Sequence, residues 1–276
     1  MNKVIEFKNI TKSYNNKDNV IDDLSLSIDE GEFATILGPS GCGKTTLLKM
    51  VNKLLMPNSG SIFVKGVDIN ELNTIELRRS IGYVIQQIGL LPHLTIKENI
   101  NYVLSIMKTD SDIKENRAEE LVELVGLSSE YLTRYPRQLS GGQKQRIGVA
   151  RALAADPSII LMDEPFGAVD EIARTLLQDE LMQIQEKLHK TILFVTHDIQ
   201  EAIKLGTKVV LLHKGKIEQL GTKDELIFNP KTDFVKDFFG LKGFKATLDS
   251  DVMSKIYDRL LNKEESLEDV YKKLNV

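Results

Sequence analysis

With 276 residues, a net charge of −4 and 28% charged residues, the chain suits one large domain or two unequal lobes sharing a core. The negative balance excludes bulk attraction to phosphate backbones, so no nucleic-acid partner is expected. Cys42 is the only cysteine, which excludes an internal disulfide and favours an intracellular home. The opening residues MNKVIEFKNI hold no apolar stretch of signal-peptide length, and no run reaches the roughly 18 apolar residues of a membrane span. Any membrane role is therefore expected to come through a partner.

Residues 3–37 read as strands. Leu24, Leu26 and Ile28 alternate with polar neighbours, and Phe33–Leu37 is a short, mostly apolar run that predicts a buried strand. A glycine-rich turn follows, after which Leu47, Leu48, Val51, Leu54 and Leu55 recur at helical spacing. Ile62–Val64 and Val67–Ile69, joined at Lys65-Gly66, predict a hairpin, and Ile81–Ile85 another strand. Over 89–150 the spacing becomes helical (Ala118, Leu121, Val122, Val125, with Gly126 as a stop), which predicts a helical lobe inserted into a strand-rich domain. The α/β pattern then resumes. Ile159–Met162 and Ile192–Val195 are core strands, Leu177, Leu181, Ile184 and Leu188 mark a helix face, and Val209–Leu212 starts a hairpin turning at Lys214-Gly215. Residues 241–276 read as a separate short helical tail. Val252 and Ile256, then Leu267, Val270 and Leu274, suggest two amphipathic helices, the second capped by Ser266.

The segment GPSGCGKT (Gly38, Pro39, Ser40, Gly41, Cys42, Gly43, Lys44, Thr45), with Thr46 behind it, fits the pattern G-x-x-x-x-G-K-[ST] between a strand and a helix. Glycines let backbone N–H groups turn inward around phosphate oxygens, and the helix adds the positive end of its dipole. Lys44 is expected to place a point charge on the β- and γ-phosphates of ATP, and Thr45 to give Mg²⁺ a hydroxyl ligand. Cys42 reads as a small space-filler. Hydrolysis needs a second acidic group at the metal and a group to orient water. ILMDEP at 160–165 offers both: Asp163 at the end of an apolar strand for Mg²⁺, and Glu164 as general base or water-positioning group.

Between these elements stands LSGGQ at 139–143. With the phosphate loop before it and DEP after it, the chain resembles an ABC transporter nucleotide-binding subunit over about residues 3–240. The resemblance implies a phosphate-loop α/β ATPase core with an antiparallel β subdomain and an inserted helical subdomain. The ATPase domain is expected over 1–240. Ser140, Gly141, Gly142 and Gln143 open a helix continued by Arg146–Ala154. In the family they complete the ATP pocket of the opposite subunit, which implies a homodimer. Tyr14 resembles the aromatic that stacks on adenine. Gln86, in GYVIQQ, resembles the glutamine that touches Mg²⁺ and water. Gln87 competes for that role; Gln86 is favoured because it directly follows the strand. Asp170, in GAVD, resembles the residue linking two sites across the dimer, although the family's usual string is closer to SALD. His197, in FVTHD, resembles the histidine at the γ-phosphate, and Asp198 reads as a loop support. His93, His189 and His213 have no motif context.

The resemblance also implies integral membrane permease subunits and an extracytoplasmic substrate-binding protein as partners, with the chain peripheral on the cytoplasmic face of the membrane. QQIGLLPHLTIKENI (86–100), DEPFGAVDEIAR (163–174) and FNPKTDFVKDFFG (228–240) are similar to subunits importing osmoprotectant quaternary amines, such as glycine betaine, carnitine or choline. An importer of another small solute, an amino acid for example, is the alternative; a non-transport ABC ATPase is a further one. In such assemblies the cargo is read by other subunits.

Overall fold

The computed structural model of the chain describes residues 2–15, 18–86, 89–167, 169, 171–247 and 258–262. β1 (Lys3–Ser13) and β2 (Asn19–Asp29) pair antiparallel, with Ile5, Phe7, Leu24, Leu26 and Ile28 buried at alternate positions. That is the period-two pattern of a sheet with one face in the core. β3 (Phe33–Leu37) is buried along its whole length and leads into the phosphate loop and α1 (Lys44–Val51). β4 (Ser59–Val64) and β5 (Val67–Asp68) form the expected hairpin. Its two turn residues, Lys65 and Gly66, have φ of 51° and 79°, a turn whose twist matches the flanking strands. These strands give a four-stranded antiparallel sheet in the order β2-β1-β4-β5.

α2 (Thr74–Ser80), capped by Asn73, runs into β6 (Ile81–Val84), one residue shorter than its sequence pattern suggests. Then comes the helical insert: α3 (Ile96–Ile100), α4 (Tyr102–Ile106), α5 (Ser111–Leu124) and α6 (Gly141–Leu153). β7 (Ile159–Asp163), α7 (Glu171–Leu188), β8 (Thr191–Val195), α8 (Ile199–Leu205), β9 (Lys208–His213) and β10 (Lys216–Gly221) follow. The second sheet has the order β10-β9-β3-β8-β7-β6, with β10 an antiparallel edge and the other strands parallel. The helical insert is not a free lobe. Ile96, Ile100, Leu121, Val122 and Ile147 share one apolar cluster with Ile160, Met162 and Phe194 of the sheet.

α9 (Lys223–Phe228) and α10 (Asp233–Thr247) close the described core. Gly240 does break the helix, with φ 41° and ψ −141°. Yet 241–247 remain helical, and Ala246 packs on the cluster holding Val235 and Phe239, so the core reaches Thr247. The two tail helices lie outside the described residues, apart from a helical turn at 258–261.

Parallel strands send all their carboxyl ends to one edge, and loops there converge on a common crevice. β3 delivers the phosphate loop to this edge, β7 delivers Asp163 and Glu164, β8 delivers His197, and β6 delivers Gln86.

Candidate active site

The phosphate loop is built by exclusion. Gly38 sits at φ 151°, and a Cβ there would lie 2.2 Å from the backbone carbonyl oxygen of Leu212. Gly43, at φ 105°, would drive a Cβ to 2.3 Å from Ile21 Cδ1. Only glycine fits either place, so the chain can wrap tightly. Replacing Gly38 with Ala is expected to lower stability by about 1–3 kcal/mol, read as a lower denaturant midpoint; an unchanged midpoint would contradict this packing. Gly43 is also the N-cap of α1 and offers no side-chain acceptor, and the first turn carries no acidic residue. Its N–H groups are therefore open to an anion. Lys44 is buried, and its Nζ donates to the carbonyl oxygens of Gly38 (2.7 Å) and Pro39 (3.1 Å). The loop's own carbonyls thus hold the ammonium in place.

Cys42 is 5% exposed, and burial pushes its thiol up despite the nearby charge of Lys44. A thiol reagent is expected to label the folded chain slowly near neutral pH and the denatured chain quickly. Equal rates would show that the loop does not shield Cys42.

Asp163, the last residue of β7, is also buried, and its Oδ1 accepts the Thr45 hydroxyl proton at 2.8 Å. Burial pushes the Asp163 carboxyl up, opposed by the Thr45 hydrogen bond and by the charges of Lys49 and Lys44. A buried carboxylate short of positive charge beside a hydroxyl is a hard-oxygen pair suited to Mg²⁺.

Glu164 adopts φ 44°, in the left-handed region that non-glycine residues rarely occupy. Strain of this kind costs about 1–3 kcal/mol and persists where the surroundings over-determine it. Here the Glu164 N–H donates to Val195 O at 2.9 Å. Phe166, 1% exposed, packs on Phe194 with ring centroids 5.6 Å apart, pinning the turn from the other side. The carboxylate then receives two groups on one oxygen. Gln86 Nε2 donates to Oε2 at 3.0 Å, and His197 Nδ1 stands 3.3 Å from it. Ser40, Lys44, Thr45, Gln86 and Glu164 all line one cavity of about 440 Å³. Tyr14 also lines it, 61% exposed, with its hydroxyl 3.1 Å from Thr46 Oγ1 and the Lys12 ammonium over its ring at 5.7 Å.

Ser140 lies elsewhere. Its side chain accepts from Gln143 N (3.3 Å) while Gln143 Oε1 accepts from Ser140 N (3.0 Å), a reciprocal cap that starts α6. Gly141 is the first residue of that helix. Ser140, Gly142 and Gln143 line a second cavity of about 360 Å³, which shares no lining residue with the first. One chain thus carries two separate cavities, each lined by a glycine at a helix N-terminus. Asp170 and Gln87 lie outside the described residues.

Asp198 caps α8, its Oδ1 accepting from the N–H groups of Gln200 (2.7 Å) and Glu201 (3.3 Å). His213 stacks on Phe234 at 3.8 Å, a packing role. Sequence reasoning missed Thr196, Glu201 and Arg174, which surround the His197 loop. Glu201 is 5% exposed and burial pushes its carboxyl up, against a hydrogen bond from Thr196. The available signal was the D-x-x-E spacing of Asp198 and Glu201 at a helix start.

Among the described residues no helix is long and apolar enough to cross a membrane. Residues 21–167 match the family model described as ABC transporter. The chain is 53% identical over 237 residues to the carnitine transport ATP-binding protein OpuCA of Listeria monocytogenes, an alignment covering 86% of this chain and 60% of that protein. It is 48% identical over 261 residues to the choline transport ATP-binding protein OpuBA of Bacillus subtilis, covering 95% of this chain and 68% of that protein. The chain therefore spans about three fifths of the first relative's length and two thirds of the second's. Among solved structures, a dimeric post-hydrolysis state of the ATP-binding cassette MJ0796 bound to ADP and Pi superposes with a TM-score of 0.71. It has 36% identity, and the match covers 79% of this chain and 98% of that one. With the phosphate loop, the capped Ser140 helix and the sheet order all in place, the chain belongs to the ABC transporter family.

Proposed function

We propose that this chain binds ATP with Mg²⁺ and hydrolyses it as the ATPase subunit of a multi-subunit importer of a quaternary amine such as glycine betaine, carnitine or choline. The observation that carries the hydrolysis reading is the Glu164 carboxylate, fixed by Gln86 and His197 over the cavity that holds Lys44. The cargo reading is supported by the names of the carnitine and choline transport relatives.

The glycine cradle receives the phosphates, and the exposed ring of Tyr14 stacks on the adenine. Lys44 sets its charge against the β- and γ-phosphate oxygens, where negative charge grows during transfer. Thr45 and Asp163, with Gln86 at the edge, would hold Mg²⁺, which supplies charge neutralisation between the β- and γ-phosphates. Both contacts to Glu164 fall on Oε2, which leaves Oε1 to accept a proton from water aligned with the γ-phosphorus. His197, largely exposed at 62%, stands beside Glu164 and can donate to the γ-phosphate from there.

Ser140, Gly142 and Gln143 face a different cavity from Lys44 in the same chain. A second copy placed head to tail would bring its capped helix to the phosphates and complete the site. The permease would dock in a groove of about 200 Å³ lined by Arg78, Arg79, Tyr83, Tyr102 and Arg151. Tyr102, 43% exposed, gives that groove an apolar wall, and Arg151, which also lines it, donates from Nη1 to Gly89 O at 2.6 Å. In this reading the chain lies on the cytoplasmic face, with a binding protein reading the cargo outside.

The reading is tested by isolating the chain from its own membranes and measuring uptake of labelled glycine betaine, carnitine and choline. Co-purification with an integral membrane protein and ATP-dependent uptake of one of them are expected. Uptake of an amino acid and none of the three would replace the cargo. A purely soluble assembly would remove the transport role.

A further inference from the structure

His197 stands between two residues that are themselves tied down. The Thr196 hydroxyl donates to Glu201 Oε2 at 2.5 Å and accepts from the Asp198 N–H at 3.0 Å. The backbone on both sides of His197 is therefore registered through one side chain. Glu201, buried in the first turn of α8, faces Arg174 of α7, whose Nε lies 3.9 Å from Glu201 Oε1. The same guanidinium donates from Nη2 to the carbonyl oxygen of Val169 at 3.1 Å. Val169 is tied in turn to the segment that starts at Glu164: its N–H donates to Phe166 O at 3.2 Å. A continuous path thus joins the segment after the general base to the loop of His197.

One member of the path is unfinished. Arg174 Nε is buried without a hydrogen-bond partner, while its Nη1 donates to Glu171 Oε2 at 3.4 Å and Glu201 Oε1 stands 3.9 Å from Nε. Leaving a buried donor unpaired is costly, so a small shift that brings Glu201 onto Nε is favourable. We propose that Arg174 and Glu201 are positioning residues that register His197 against Val169, their Nε–Oε1 contact closing when the site reaches its hydrolytic arrangement. The inference rests on the hydrolysis reading of the same site. Neither residue touches the nucleotide; both act through Thr196 and the backbone of residues 196–198 and 169.

The test uses the purified full chain and three variants: Arg174→Lys, Glu201→Gln and the double variant Arg174→Met with Glu201→Gln. Misplacement of a reacting group by about an ångström costs on the order of a hundredfold in rate. Each single variant is expected to lose about tenfold or more in kcat while KM for ATP stays within about twofold. The double variant, which leaves no unpaired buried charge, is expected to regain its unfolding midpoint but not its rate. The imidazole resonances of His197 are expected to shift in all three variants, with those of the exposed His93 unmoved. That readout does not depend on hydrolysis, whereas the rate of the unmodified chain tests the hydrolysis reading by itself. A double variant as fast as the unmodified chain, or His197 resonances unmoved in every variant, would overturn the proposal.

Discussion

Replacing Glu164 with Gln is expected to leave ATP binding intact and to lower turnover by about a hundred- to ten-thousandfold, the contribution of a positioned general base. The substitution keeps the shape and an acceptor oxygen but removes the basicity. Nothing else in the cavity stands ready to replace it. Asp163 is buried and engaged with Thr45, and His197 reaches the cavity through the same Oε2 it would have to serve. Glu164 holds a left-handed φ of 44° that only its surroundings maintain. Because Val195 and the Phe166–Phe194 contact set that backbone, the Gln side chain should occupy the same place. Nucleotide affinity measured by equilibrium binding, and phosphate release by the assembled complex, check the two halves. Unchanged phosphate release would remove Glu164 from its role.

Lys44→Ala is expected to act on the other side of the site, weakening ATP affinity by roughly ten- to hundredfold. A hydrogen bond to a charged group contributes about 1.5–3 kcal/mol, and the Lys44 ammonium is already positioned by the Gly38 and Pro39 carbonyls before ligand arrives. The loss should therefore appear in binding as well as in rate. Salt should narrow the difference only weakly, since a buried charge is little screened. Isothermal titration of both chains with ATP and Mg²⁺ measures it. Equal affinities would count against the phosphate loop as the nucleotide site.

The parts legible in the sequence are those written in consecutive residues. GPSGCGKT needs one local turn and its chemistry is the turn itself. Phe33–Leu37, Ile159–Met162 and Ile192–Val195 read as buried strands because both faces are covered. The order β10-β9-β3-β8-β7-β6 was not legible, since pairing between distant strands leaves no local mark. The contact between Gln86 and Glu164, 78 positions apart, becomes visible only once β6 lies beside β7. The helical insert reads as a lobe from its periodicity, yet Ile147 and Val122 pack into the sheet's own core. Beyond the helix break at Gly240, Ala246 packs against the cluster that holds Val235 and Phe239, a contact with no local mark in the sequence. Arg174, Thr196 and Glu201 escaped notice because their meeting depends on the packing of α7 against α8.

The central claim is that one chain holds half of a site and that Ser140 of a second copy supplies the rest. It is tested most directly by the molar mass of the Glu164→Gln chain in solution, with ATP present and with it absent. A chain that binds ATP without releasing phosphate should double its mass when ATP is added, and Ser140→Arg in the same background should abolish the doubling while ATP still binds. A mass that stays that of one chain with ATP bound, or a doubling indifferent to Ser140, would contradict the shared site.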